Sequence, residues 1–197
     1  MKVPLTIAIS YLIGSFSSAY VLGKLVKKTD IRTYGSGNAG TTNALRVFGK
    51  RIGALTFILD ILKGILAVYI GGQIMGYNGQ LLAGLFAVIG HNWPIFLKFK
   101  GGKGIATSFG VLLSLHWPTA IVSLVIFILV IILTKYVSLG SIISAIVVPI
   151  FGLIINRPLN KNYIIVTFTL GVLAIFRHRG NIKRLLNGNE FKIGERP

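Results

Sequence analysis

The chain has no cysteine in its 197 residues and only four acidic side chains, Asp30, Asp60, Glu190 and Glu195. The first absence excludes disulfides, thiolate metal sites and a cysteine nucleophile together. The second, with only three histidines, leaves little for a transition-metal site. It also leaves too few carboxylates for the Mg²⁺ site of a lipid phosphotransferase. Charge is sparse overall: 13% of residues are charged, where a soluble domain has about 25%. Apolar residues fill the space, at 53% of the chain and a mean hydropathy of +0.77. Several apolar runs approach the roughly 20 residues that a helix needs to cross hydrocarbon. They use up most of the chain and predict an all-α membrane protein, one integral membrane domain over 1–197.

Seven runs read as spans: 4–23, 52–72, 80–97, 105–116, 118–134, 138–156 and 163–176. The first is too long for a signal-peptide core and ends in basic residues without a small-residue cleavage site, so it is read as a retained span. The fourth and fifth are separated at His116-Trp117-Pro118, where Pro118 suits the first turn of a new helix. Charge supports the count. With seven spans, seventeen of the 21 Lys and Arg fall on one side (loop 24–51, loop 98–104, Lys135 and the tail from Arg177). Lys2, Arg157 and Lys161 fall on the other, and Lys63 lies within a span. Merging the fourth and fifth spans removes that asymmetry. The positive-inside rule then puts the N-terminus outside and the C-terminus in the cytoplasm. The formal charge of +17 is partly this topology signal and partly a match for an anionic surface or substrate. Nucleic acid is a poor partner for such a chain.

Three polar islands interrupt the apolar background: Gly35 to Asn43, Gly101 to Gly104, and His178 to Ile182. All three fall on the predicted cytoplasmic face, which lets them converge into one site. In the first, Ser36, Gly37, Asn38, Thr42 and Asn43 stand between Arg32 and Arg46. Small donors beside glycine make an anion nest, and arginine adds a bidentate fork. In the second, Gly101, Gly102 and Lys103 precede a helix start that carries Thr107 and Ser108. Helix N-termini point N–H groups at anions, although the spacing is not that of a Walker A loop. In the third, His178 is a candidate acid, base or phosphate donor beside Asn181. Glu190 is either the site's carboxylate or a partner of Arg184 or Lys183 that orders the tail.

Other polar residues have plainer readings beside functional ones. Asp60 and Lys63 share a helix face at i, i+3 and are expected to neutralise each other inside span two. His91 and Asn92 line the site from beneath or link helices. Trp93 fits the aromatic belt. Ser141 either adds a hydroxyl to the site or packs between helices. His116 falls on the outer side, away from the islands.

Taken together, the islands make the chain resemble the acyl-phosphate-dependent glycerol-3-phosphate acyltransferases, bacterial membrane enzymes that begin phospholipid synthesis. The resemblance runs through GSGNAGTTNALR (Gly35 to Arg46), GHNWPIFLKFKGGKGIATS (Gly90 to Ser108) and HRGNIKRLLNGNE (His178 to Glu190). Asp60-Ile61-Leu62-Lys63-Gly64 and Gly14-Ser15 also fit, and Thr41 departs from the alanine common at its place. The resemblance implies acyl transfer from acyl phosphate to the 1-hydroxyl of glycerol 3-phosphate, giving lysophosphatidate and phosphate, without cofactor or metal. It implies phosphate binding by Ser36, Gly37, Asn38, Lys103 and their neighbours. Arg46, His178 and Asn181 would hold glycerol 3-phosphate or orient its hydroxyl, supported by Glu190. The implied setting is the bacterial plasma membrane with the site facing the cytoplasm. The implied partners are the two substrates, the bilayer and the enzyme that makes the donor, with the protein itself a monomer. The residues agree on one point: the H-x4-D motif of the other large acyltransferase superfamily is absent, since Phe96, Ile121 and Lys183 stand five places after the three histidines. No Ser-His-Asp or Cys-His nucleophile is present either, which predicts direct transfer. The base is then His178 or a phosphate oxygen of the substrate. An organic-anion transporter is the main rival, but islands confined to one face and the lack of an internal repeat fit it poorly.

Overall fold

The computed structural model describes residues 1–155 and 160–195. The last residue of the expected sixth span, together with Arg157 and Arg196, lies outside them. Described residues form helices and short turns, grouped into two compact units, Met1–Val111 and Leu112–Glu195.

The first unit opens with α1 (Lys2–Ser15) and α2 (Ser18–Lys27). The apolar run expected as one continuous span is therefore interrupted. Phe16 (φ −64°, ψ 114°) and Ser17 (φ −98°, ψ 98°) take extended backbone between the two helices. Among non-helical breaks, only those buried against protein are tolerated at membrane depth, and this one has such cover. The Phe16 carbonyl, released from the helix, accepts a 2.7 Å hydrogen bond from Lys63 Nζ.

Helix α3 (Thr41–Phe48) lies within what reads as a loop between the first two spans. It leads into α4 (Lys50–Asn92), which is two helical arms joined at Met75 and Gly76. Gly76 has φ 60° and ψ −148°, a conformation open to glycine, and folds the second arm back on the first. At the closed end of this hairpin, Gly71 and Gly79 touch backbone to backbone. The two arms correspond to the second and third expected spans. Helix α1 packs on the second arm, where Gly14 meets the Ala87 backbone and Gly90 meets Tyr11 and Ser15. Tyr11 Oη then donates to the Trp93 carbonyl at 2.8 Å. Pro94 and a 3-10 turn over Ile95–Leu97 end the helical run, so the apolar residues that prolong the third span are not helical.

Helix α5 (Ile105–Leu115) starts in the first unit, with Gly110 against the Ile61 backbone and Gly64 against that of Thr107. The second unit holds α6 (Trp117–Thr134), α7 (Val137–Ile155), α8 (Lys161–Arg177) and α9 (Arg179–Leu186). The break at His116 bears out the separation of the fourth and fifth runs. The His116 ring accepts from the Thr119 N–H, and Pro118 occupies the first turn of α6. Helix α6 packs on α7 and α7 on α8, with Gly171 set against the Ala145 carbonyl.

Among the described residues, four stretches are long and apolar enough to cross a membrane: Lys2–Lys27, Lys50–Leu97 (both arms of α4 and the short turn after it), Trp117–Thr134 and Val137–Ile154. Helices α5 and α8, with 11 and 17 residues, are shorter. Ile121, Val125, Ile128, Leu129, Ile132 and Leu133 leave α6 with an exposed apolar surface, and lipid is the solvent that suits it.

Candidate active site

In the first unit the loop before α3 is shaped by one side chain. Asn43 is buried, and it hydrogen-bonds to backbone. Its Oδ1 accepts from the Ser36 N–H at 2.9 Å, and its Nδ2 donates to the carbonyls of Tyr34 (3.0 Å) and Ile31 (3.2 Å). Gly35 (φ 59°) lies against that same Oδ1, and Gly37 (φ 68°) turns the chain onward. Asn43 thus acts as the former on which the loop is wound. Ser36 and Gly37 are exposed at its crest, and Asn38, Thr42 and Arg46 are half-buried along it.

Arg32, one of the two arginines that flank this loop, is engaged within the protein. Its guanidinium holds Asp30 through Nε (3.0 Å) and Nη2 (2.8 Å), while Nη1 donates to the Leu97 carbonyl at 3.0 Å. The hydrogen bonds from Arg32 hold the Asp30 carboxyl below its ordinary value, and partial burial opposes them. Arg32 is therefore a tie between the first loop and the segment that leads to the second.

The second island lies directly on the end of α4. The Gly102 N–H donates to the His91 carbonyl at 3.1 Å, and a side chain at Gly102 would collide with the His91 imidazole. Gly101 and Gly102 are buried and Lys103 is half-buried. Gly104 (φ 83°) opens α5, and the Ser108 N–H closes its first turn on the Gly104 carbonyl at 2.7 Å. A Cβ on Gly40 would lie 4.0 Å from Gly102 Cα, so the structure brings the first two islands side by side. Two buried hydroxyls here, Thr41 Oγ1 and Thr107 Oγ1, have no hydrogen-bond partner among the described residues. An unpaired buried hydroxyl costs free energy unless something satisfies it, and a substrate oxygen is one such partner. Ser108 is half-buried on the following turn.

The third island is built within the second unit. His178 sits between α8 and α9, and both its backbone N–H (3.0 Å) and its ring Nδ1 (2.7 Å) contact the Ala174 carbonyl. A carbonyl only accepts, so Nδ1 carries a proton, and in the neutral ring Nε2 is the acceptor. Asn181, on the first turn of α9, donates from Nδ2 to Glu190 Oε1 at 2.7 Å. Glu190 is 6% exposed and also accepts from Ser138 Oγ (2.9 Å, Oε1) and Arg184 Nε (2.7 Å, Oε2). The two readings of Glu190 are thus both realised: it orders the tail and it holds Asn181. Ser141 is buried, and its hydroxyl donates to the Val137 carbonyl of its own helix at 2.9 Å.

Residues 4–188 match the sequence profile described as glycerol-3-phosphate acyltransferase. The chain belongs to that family. A glycerol-3-phosphate acyltransferase of Thermoanaerobacter pseudethanolicus is 50% identical over all of this chain and 98% of its own length. One of Clostridioides difficile is 48% identical over 95% and 94%. The crystal structure of PlsY, an integral membrane glycerol 3-phosphate acyltransferase, in its glycerol 3-phosphate form superposes with a TM-score of 0.92 at 37% identity, covering 98% and 96% of the two chains. Its lysophosphatidic acid form superposes at 0.89 with 35% identity. This acyltransferase fold accounts for the run of apolar helices. Within it, sequence reasoning missed Ser138, whose only sequence signal is a place near the start of α7. It also missed Ser18, which donates to Asp60 Oδ1 at 2.9 Å.

Proposed function

We propose that this acyltransferase moves a fatty acyl group from acyl phosphate to the 1-hydroxyl of glycerol 3-phosphate, giving lysophosphatidate and inorganic phosphate. The observation that carries the reading is the side-by-side placement of the Gly35–Gly40 and Gly101–Gly104 loops in a member of this family. Turned glycine backbone, the Lys103 cation, the first turn of α5 and the unpaired hydroxyls of Thr41 and Thr107 suit a phosphate group. The three ordered motifs and the missing H-x4-D arrangement support acyl phosphate over a thioester donor.

The hydroxyl oxygen attacks the acyl carbon, the bond from that carbon to the phosphate oxygen breaks, and phosphate departs with the electron pair. Acyl phosphate is an activated anhydride whose leaving group needs little protonation. The protein's main tasks are to hold two anions together and to offset charge on the carbonyl oxygen. Ser36, Gly37, Asn38, Thr42, Gly101, Gly102, Lys103, Thr107 and Ser108 bind phosphate, and Asn43 shapes their loop. Arg46, His178 and Asn181 handle glycerol 3-phosphate, with Glu190 fixing Asn181. The engagement of His178 Nδ1 with Ala174 favours Nε2 as the acceptor of the hydroxyl proton, and a substrate phosphate oxygen is the alternative. Ser141 contributes at most an acceptor lone pair. The chain crosses the bacterial plasma membrane seven times as one functional domain, with the N-terminus outside and the islands cytoplasmic, and it acts as a monomer.

The test is lysophosphatidate formation by purified, detergent-solubilised protein with EDTA present, comparing acyl phosphate with acyl-CoA. Product from acyl phosphate alone is expected. No product from either donor, with folded protein, overturns the reading. Alanine at Ser36, Asn38, Lys103, His178 or Asn181 is expected to abolish turnover at unchanged thermal stability. Radiolabelled acyl phosphate supplied alone is expected to leave no label on the protein, and an acylated protein would sink direct transfer.

A further inference from the structure

Inside the first unit, away from the loop crests, lies a cluster of charge that the reaction above does not use. Asp60, Lys63 and His91 are 1%, 5% and 5% exposed. Lys63 Nζ lies 2.9 Å from Asp60 Oδ1, 2.7 Å from the Phe16 carbonyl and 2.7 Å from His91 Nδ1. An ammonium has three N–H donors, and here each has an acceptor. Asp60 Oδ1 takes a further hydrogen bond from Ser18 Oγ. The cluster thus ties four places together: the break between α1 and α2, the start of α2, the first arm of α4 and the end of its second arm.

Because Lys63 donates to His91 Nδ1, the neutral imidazole carries its proton on Nε2. That nitrogen is the atom a Gly102 side chain would strike, and the carbonyl of the same histidine receives the Gly102 N–H. His91 is therefore held at one end by the buried lysine and presses the other end against the glycine loop. A pair meant only to hold helices together has no need of a third, loop-facing member. Buried charge in a membrane protein is expensive and breaks even at best against apolar packing.

We propose that Asp60, Lys63 and His91 are positioning residues that set the height and orientation of the Gly101–Gly104 loop for a substrate phosphate. The proposal rests on the acyltransferase reading for which reaction is served, and on this geometry for the device itself. The phosphate belongs to glycerol 3-phosphate or to acyl phosphate, and the substrate whose KM moves identifies it.

The experiment uses three variants of the full chain in detergent. Asp60→Asn with Lys63→Met removes both charges at nearly constant volume, and its melting curve reads whether the break between α1 and α2 survives without the Lys63 donor. His91→Asn keeps an acceptor for Lys63 and gives up the reach to Gly102. His91→Gln keeps an N–H where Nε2 lies. The double variant and His91→Asn are expected to raise one phosphate substrate's KM about tenfold, the loss of roughly one charge-assisted hydrogen bond. The kcat and melting temperature change much less, and His91→Gln recovers most of the KM. Unchanged KM values, or a fall in melting temperature alone, make the cluster a plain staple and overturn the proposal. If wild-type protein is folded but turns nothing over, the reaction assignment has failed and the device is read by thermal shift with inorganic phosphate. Stabilisation of wild type and His91→Gln but not of His91→Asn supports it. Equal stabilisation in all, or none in wild type, overturns it.

Discussion

Replacing Glu190 by glutamine separates the two jobs that its carboxylate does. Oε1 receives Ser138 and Asn181, while Oε2 receives Arg184. A glutamine in the same rotamer keeps an oxygen for the first two and turns an NH₂ towards Arg184, donor against donor. The Arg184 side chain is 35% exposed and turns to water, so the lost ion pair counts for well under the 3–5 kcal/mol of a fully buried one. The two remaining bonds change from charge-assisted to neutral, at about 0.5–1 kcal/mol each. The sum is about 2–3 kcal/mol, or roughly 5–10 °C in melting temperature for a chain of this size. Asn181 keeps its acceptor, so kcat falls only about tenfold. Glu190→Ala removes the acceptor altogether and is expected to abolish turnover. Melting curves in detergent and steady-state lysophosphatidate formation read both quantities. Equal turnover in the two variants would refute the argument that Glu190 acts by holding Asn181, as would near-normal activity in Glu190→Ala.

Gly102→Ala places a methyl in the His91 ring; KM for a phosphate substrate is expected to rise at least about tenfold, and unchanged KM disproves the contact. Asn43→Ala strips three hydrogen bonds from the first loop, costing about 2–3 kcal/mol. It is expected to cost turnover as Ser36→Ala does although its side chain faces backbone, with proteolysis at 34–40 as a second readout. Asp30→Asn tests pH linkage. The folded carboxyl lies below its ordinary value of 3.8, so its contribution is fully present above that value and is lost as pH falls through the folded value. At pH 7 the variant should melt slightly lower than wild type, by about 0.5–1 kcal/mol for a partly exposed pair. The gap should close in acid, and a gap that widens there contradicts the sign.

Features written in local sequence were legible. Pro118 and the polar step at His116 marked a helix start. Asp60 and Lys63 advertised their pairing by an i, i+3 spacing, and glycine beside small donors marked the phosphate-suited loops. What escaped depends on partners distant in the chain. Nothing near Phe16 announces a break, because the residue that donates to its freed carbonyl is 47 positions away. Ser138 looks like any packing serine until Glu190, 52 residues on, arrives beside it. Arg32 reads as an anion fork because neither the geometry of Asp30 nor the Leu97 carbonyl is visible in a string. Helices α3 and α9 were hidden for another reason. Each is eight residues long, too short to form alone, and each is held by what it packs on.

The interruption at Phe16 and Ser17 also sets an order of events in synthesis. A ribosome delivers the chain N-terminus first, so residues 1–27 emerge ahead of Lys63. With no ammonium to donate to it, the Phe16 carbonyl is best satisfied by the next helical turn, so the newborn first segment is expected to be one unbroken helix. Only when the hairpin of α4 follows, bringing its lysine with the aspartate that neutralises it, does that helix gain a reason to bend. On this reasoning a later segment reshapes an earlier one, and a chain truncated before residue 63 is expected to carry a straight first helix.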